Sequence, residues 1–261
     1  VEEALISKHH LTTQPIQFNG VDGLLIESPN VQKDRGALLN VHGGGFTMGT
    51  ARERTALLAA AETNLPVYSI NYSRAPEAAV PVALNEVVAF YQGFLDQVGD
   101  QPTFMMGSSA GSNLVVAAQL KLHALGLPLP AANIIFCPAL DISGNGDSAV
   151  FNNRRDVMSA HLALRIAQRY IQGADPTSPE VSPLYGELGP WFPPTFMSSG
   201  TRDIMLSNVV RFSAKLKDAN IPFQAVIKEG MWHGFNWEAT LPEAIDTRQQ
   251  AWQFILPYQN Y

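Results

Sequence analysis

An α/β fold with a mostly parallel sheet flanked by helices is predicted by three features of this sequence. Short, nearly unbroken apolar runs alternate with longer segments of helical periodicity. The order strand, helix, strand repeats through most of the chain. Only 15% of residues are charged against 46% hydrophobic, which suits strands covered on both faces. A chain of 261 residues can enclose such a core as a single domain, 1–261.

The first elements read as a hairpin at a sheet edge, with Ile16-Gln17-Phe18 on one arm and 23–27 on the other. Ala37-Leu38-Leu39-Asn40-Val41 is a buried strand, and a helical pattern follows over 52–63. Val67-Tyr68-Ser69-Ile70-Asn71 is the next strand, with a helix over 83–98. Thr103-Phe104-Met105-Met106 leads into a helix over 110–125, and the apolar run 133–137 is a further strand. After a long interval come a strand at 195–198, a helix at 209–219, a strand at 224–227 and a helix at 242–256. No internal repeat or low-complexity segment interrupts this order.

The interval is informative in itself. Between about 142 and 191 no strand pattern occurs; Asn145-Gly146-Asp147 marks a turn, 160–170 a helix, and 173–183 is rich in turn residues. An insertion of this length between two strands predicts a small helical cap over the active face, to which the N-terminal segment, about 1–15, adds.

Composition excludes several function classes. The net charge is −6 and no run of Lys/Arg could track a phosphate backbone, so no nucleic-acid partner is expected. Asp and Glu are dispersed, and the acidity reads as solubility. The lone Cys137 rules out an intrachain disulfide and reads as a buried small hydrophobe. No apolar stretch approaches the roughly 20 residues of a spanning helix, so no integral membrane segment is expected. The acidic start Val1-Glu2-Glu3 does not resemble a signal peptide; cytoplasmic is the default, and a chain beginning at Val leaves room for a leader removed upstream.

Two motifs carry chemistry. Gly107-Ser108-Ser109-Ala110-Gly111 fits G-x-S-x-G, and it lies between a strand and a helix, the context in which the central Ser, Ser109, becomes an exposed nucleophile. His42-Gly43-Gly44-Gly45-Phe46 directly follows the strand 37–41, and its glycines allow backbone N–H groups to approach a ligand closely. These donors, with the N–H of Ala110, could hold an oxyanion. The run lacks the Lys-Ser/Thr of a phosphate loop and the spacing of a dinucleotide site, and no His/Cys cluster points to a metal.

A Ser nucleophile needs a base. Of the six histidines, His9 and His10 lie in the N-terminal segment, His42 precedes the glycines, His123 sits on a helix and His161 in the insertion. His233 stands just past the last strand, where α/β sheets put their chemistry, and is taken as the base. Asp203, after the strand 195–198, completes the order Ser, Asp, His; Asp141 is the rival, read as capping the start of the insertion.

Six blocks in order, HGGGF at 42–46, YSRAPE at 72–77, GSSAGSN at 107–113, SPL at 182–184, GTRDIML at 200–206 and EGMWHGF at 229–235, resemble the hormone-sensitive-lipase-like (bacterial family IV) esterases of the α/β-hydrolase superfamily. The resemblance implies the α/β-hydrolase fold, a triad of Ser109, Asp203 and His233, and an oxyanion hole from Gly44, Gly45 and Ala110. It further implies no cofactor, small-molecule ester substrates of short to medium chain, and a homodimer as one assembly common among relatives. Phe46, Ser108, Trp232 and Phe235 are candidates for lining the substrate site, with Met48, Met158, Trp191 and Phe192 as weaker ones. Arg74 and Glu77 are expected in a structural network around the glycine loop. Three departures stand out: Ser108 where the family has Asp or Glu, Ser112 where it has a second glycine, and a short segment before HGGGF. Lactonase or amidase chemistry with the same residues is the close alternative. A non-catalytic ligand-binding protein is the distant one, and the intact His233 argues against it.

Overall fold

The central strands are buried at every position in the computed structural model, which describes residues 1–259. The chain runs α1 (Glu2–His9), β1 (Thr12–Phe18), β2 (Val21–Glu27), β3 (Ala37–Val41), α2 (Arg54–Thr63), β4 (Val67–Ile70), α3 (Val82–Val98), β5 (Thr103–Ser108) and α4 (Ala110–Ala124). It continues through β6 (Ala132–Phe136), α5 (Asp147–Phe151), α6 (Ala160–Ile171), β7 (Thr195–Gly200), α7 (Leu206–Asp218), β8 (Phe223–Lys228) and α8 (Pro242–Ile255). The eight strands form one sheet in the order β1-β2-β4-β3-β5-β6-β7-β8. Only β2 pairs antiparallel, with β1 on one side and β4 on the other; the strands from β4 to β8 are parallel.

Neighbouring residues of one strand serve opposite cores. Leu39, Met105 and Ile135 pack on the face covered by α3, α4 and α7. Leu38, Phe104, Ile134 and Phe136 pack on the other, under α2 and α8. This two-sided burial explains why the strands read as continuous apolar runs rather than alternating ones.

Two boundaries differ from expectation. The edge hairpin is longer, pairing from Thr12↔Glu27 to Phe18↔Val21. The end of the expected N-terminal cap segment, 12–15, therefore belongs to the sheet; Pro15 is tolerated there because an edge strand need not donate every N–H. What precedes it is α1, whose Leu5 is buried in the core shared with α2. Helix α7 starts at Leu206 rather than 209, because Asp203 accepts the N–H of Met205 on its side chain (2.8 Å) and that of Leu206 on its carbonyl (3.2 Å).

The insertion, 142–191, carries α5 and α6 and no strand. Ser159 caps α6 by accepting the N–H of Leu162 at 3.2 Å. The helix turns Ala167 and Tyr170 inward, and the Tyr170 ring stacks on Phe46 with centroids 3.9 Å apart.

Candidate active site

Strands β3 and β5 pair in parallel with Val41 opposite Gly107, so the loops that follow them emerge side by side. After β5 the chain reverses into α4 through Ser109, held at φ 55°, ψ −117°. That backbone is strained for a residue with a side chain, and the crossing is tight. A Cβ on Gly111 would run into the carbonyl of Val41, and one on Gly107 would lie 2.6 Å from the carbonyl carbon of Gly111. Ser112 needs no such clearance: its hydroxyl donates to Gly107 O at 2.8 Å, so the departure from the family's glycine is absorbed by a hydrogen bond.

Ser109 Oγ lies 2.8 Å from His233 Nε2, and His233 Nδ1 lies 2.9 Å from Asp203 Oδ1. All three residues are buried, with Ser109 7% and His233 6% exposed. Asp203 also accepts from the Ser199 hydroxyl at 2.7 Å and from the N–H of Met205. Burial alone would raise its carboxyl, but the charge and hydrogen bond of His233 outweigh it and hold Asp203 below the usual range. His233 mirrors this: burial pulls the imidazole down, while Asp203 and, more weakly, Asp156 raise it above 6.5 overall.

The rival carboxylate is elsewhere. Asp141 pairs with Arg211 at 2.6 Å and accepts from Tyr185 at 2.9 Å and from Ser143, at the foot of the insertion. The remaining histidines are also separate from the reaction centre: His123 stacks on Trp191 at 3.7 Å, His161 is exposed on α6, and His9 and His10 end α1.

The glycine loop is built from below. His42 is wholly buried, stacked on Tyr72 at 4.1 Å, with Nδ1–H donating to Gly43 O at 2.7 Å. Burial pushes its pKa down to about 4, so it stays neutral. The Tyr72 hydroxyl donates to His42 O and Arg74 to Gly49 O. Glu53 accepts the N–H of Gly43 and a side-chain N–H of Asn40, each at 3.1 Å. Burial pushes this carboxyl up to about 7, against the pull of the two donors. Glu77, expected in this network, is exposed and makes none of these contacts; an unsignalled Glu53 takes the place assigned to it.

The amides of Gly44, Gly45 and Ala110 donate to no acceptor among the described residues. Gly45 adopts φ 62°, and a Cβ there would lie 2.5 Å from Ile166 of α6, so the insertion packs directly over this loop.

Two expected substrate-lining residues are corrected. Ser108 is fully buried, and its hydroxyl accepts from Asn236 at 3.3 Å beneath the elbow. Phe235 is likewise fully buried, packed with Cys137 and Ala244. Phe46 is 2% exposed and turned onto Tyr170, and Trp232 is half-buried against the Phe235 cluster. Among the weaker candidates Met48 is 59% exposed, and Trp191 and Phe192 pack on each other and on the core.

Four supporting residues carry no motif. Asp156 accepts the N–H of Ile204 at 2.7 Å and of His233 at 2.9 Å, tying together the loops that carry Asp203 and His233. Asn152 donates to the carbonyls of Thr201 and Asp203. Arg248, fully buried, pairs with Glu62 and donates to the carbonyls of Asn236 and Glu238 just past His233. Trp237 lies edge-on to the His233 ring at 6.5 Å. Only an acidic or aromatic residue near a recognised block could have hinted at any of them.

Cys137 brings sulfur within 4.8 Å of the Asp203 and His233 ligand atoms. Those atoms are already engaged with each other, the sulfur accepts the N–H of Gly234 at 3.3 Å, and burial holds the thiol well above its usual pKa. The trio is therefore packed rather than arranged around an ion.

A family model described as alpha/beta hydrolase fold matches residues 38–236. The chain is 31% identical over 238 residues to an esterase of Acinetobacter venetianus, a match spanning 88% of this chain and 77% of that protein. It is 30% identical over 230 residues to an acetyl-hydrolase of Streptomyces hygroscopicus, spanning 86% and 76%. The crystal structure of an esterase from the bacterial hormone-sensitive lipase family superposes with a TM-score of 0.91 at 29% identity, covering 99% of this chain and 89% of that one.

Proposed function

The chain belongs to the alpha/beta hydrolase fold family, among its hormone-sensitive-lipase-like esterases, and from that premise we propose that it is a serine carboxylesterase cleaving small carboxylic esters. The observation that carries this reading is the continuous relay from Ser109 Oγ to His233 to Asp203, at 2.8 and 2.9 Å. His233 takes the Ser109 proton as Oγ attacks the ester carbonyl. The oxyanion of the tetrahedral intermediate accepts from the free amides of Gly44, Gly45 and Ala110. Collapse expels the alcohol with the proton from His233, leaving an acyl-Ser109 ester. Water, deprotonated by the same imidazole, then releases the acid. Every step uses groups of this chain and water.

Asp203 holds the imidazole in the tautomer with the proton on Nδ1 and stabilises its charged form. The insertion 142–191, packed on Gly45 through Ile166, acts in this reading as the cap over the acyl site. The test is hydrolysis of nitrophenyl esters from acetate to decanoate by the protein and by Ser109→Ala. Turnover should fall by at least about 10⁴-fold in the variant, with the highest rates on short to medium chains. A variant as active as the parent would remove Ser109 from the mechanism, and activity confined to lactones or amides would replace the ester reading.

A further inference from the structure

The three most exposed large apolar side chains of the described residues lie within eight positions of one another: Val150 at 72%, Phe151 at 74% and Val157 at 72%. Isolated exposed apolar residues are ordinary, but a cluster on one short segment marks a contact surface. Cations lie beside them: Arg154 and Arg155 stand between Phe151 and Val157 in the chain, and Thr201 borders both the hollow at Phe151 and the cleft of the arginines. Arg154 and Arg155 share a cleft with Arg202, Thr201 and Glu229, and the three guanidinium groups make no ion pair among the described residues. Residues 147–171 hold four arginines and two aspartates, in a chain whose net charge is −6. One of those aspartates, Asp156, turns its carboxylate inward onto backbone N–H groups, so the local surface has the opposite sign to the whole molecule. Arg202 reaches this cleft from a different part of the chain, which is why no basic run announces it in the sequence.

We propose that this face, with Val150, Phe151 and Val157 as the apolar contact and Arg154, Arg155 and Arg202 as its cationic rim, docks on an anionic lipid surface. Apolar side chains entering the acyl boundary while arginines meet headgroup phosphates is the chemistry of interfacial binding. The location connects docking with the site. Asn152 and Asp156, which lie among these residues, bond directly to the loops bearing Asp203 and His233. The proposal does not depend on the hydrolytic reading, because binding is read without turnover.

The experiment is flotation with vesicles of phosphatidylcholine alone and of phosphatidylcholine mixed with phosphatidylglycerol, at low and high salt. The protein should float with the anionic vesicles, lose that binding as salt rises, and bind neutral vesicles weakly. Triple replacement R154A/R155A/R202A should weaken binding about a hundredfold, from the usual contribution of each arginine near an anionic surface. F151S, alone and with V150S and V157S, should weaken it about tenfold or more at either salt concentration. Because all six side chains face solvent, the variants should unfold at the same temperature as the parent, which separates lost docking from lost folding. Failure of the parent to float, or equal flotation of the arginine variant, would overturn the proposal. So would a dimer in light scattering that F151S dissolves, which would assign the face to a second copy.

Discussion

Compared across His233, the sheet side and the insertion side of this molecule handle polar and apolar groups in opposite ways. On the sheet side, β3, β5, β6 and β7 are buried at every position; Asn133 of β6 pairs with Gln119 of α4, and beside the sheet Arg248 of α8 pairs with Glu62 of α2. On the insertion side, α5 and α6 turn Val150, Phe151, Leu162 and Leu164 to solvent and touch the reaction centre through polar tethers, Asn152 and Asp156. The first arrangement fixes atoms; the second hangs a surface beside them. The difference separates what positions the chemistry from what meets the outside, and it can be tested group by group.

The largest effect belongs to the sheet side. Asp203→Asn should leave the fold intact but lower kcat by about 10⁴-fold, because the amide favours the wrong imidazole tautomer. The pH dependence carries a second reading. With neutral His233 as the base and its pKa raised above 6.5 by Asp203, activity of the parent should fall as pH drops through a value above 6.5. An acid limb below 6.5 in the parent would contradict the coupling.

Next comes Arg248. It is fully buried and holds Glu62 together with the carbonyls of Asn236 and Glu238, so Arg248→Ala leaves the two carbonyls without this donor and Glu62 with the Trp252 indole N–H alone. Glu62 reaches solvent, so the loss falls below that of a wholly buried pair and comes mainly from the unpaired carbonyls, about 2–3 kcal/mol. Thermal unfolding should move down by roughly 4–12 °C for a chain of this size. A shift of a degree or two would mean that the segment after His233 is supported from elsewhere, and the contrast between the two sides would weaken.

These two sides were unequally legible in the sequence. Strand and helix order followed from apolar runs covered on both faces, and Ser109, Asp203 and His233 followed from tight turns that leave compositional marks. The insertion leaves no such mark: α5 is five residues long, and nothing around Asp156 distinguishes it from any surface aspartate. Glu53 is hidden for a different reason. It approaches Gly43 from the start of α2, a contact made only once β3 and the chain beyond it fold back. Ser108 and Phe235 adjoin motif residues in sequence yet are fully buried, because strand and turn geometry points neighbours in opposite directions.

The tethers themselves are testable through Asp156, the main bridge between the two sides. Asp156→Asn keeps the shape but removes one acceptor position and one negative charge near His233. Turnover should fall about tenfold, a loss in keeping with one hydrogen bond to a charged group. Because Asp156 helps to raise the His233 pKa, the acid limb of kcat/KM should also shift to lower pH. Lower turnover with an unmoved limb would make the tether purely mechanical.

The smallest effect probes the one sheet-side group that departs from the pattern. Glu53 is a carboxylate turned inward beneath the glycine loop, with two N–H donors and no ion pair among the described residues, and burial pushes its pKa up to about 7. A carboxyl whose folded pKa exceeds its unfolded value binds its proton more tightly in the folded state. Its cost to stability is therefore absent at low pH, grows as pH rises through the ordinary carboxylate range, and is complete above about 7. Glu53→Gln carries no charge at any pH. Its unfolding temperature relative to the parent should thus climb between pH 5 and pH 8, while ester turnover changes by no more than about threefold, since one amide oxygen can still accept the N–H of Gly43. A difference that stays flat with pH would mean that Glu53 keeps its charge throughout this window. The loop would then rest on an ionised acceptor, and its amides would be held more firmly than the burial of that carboxylate implies.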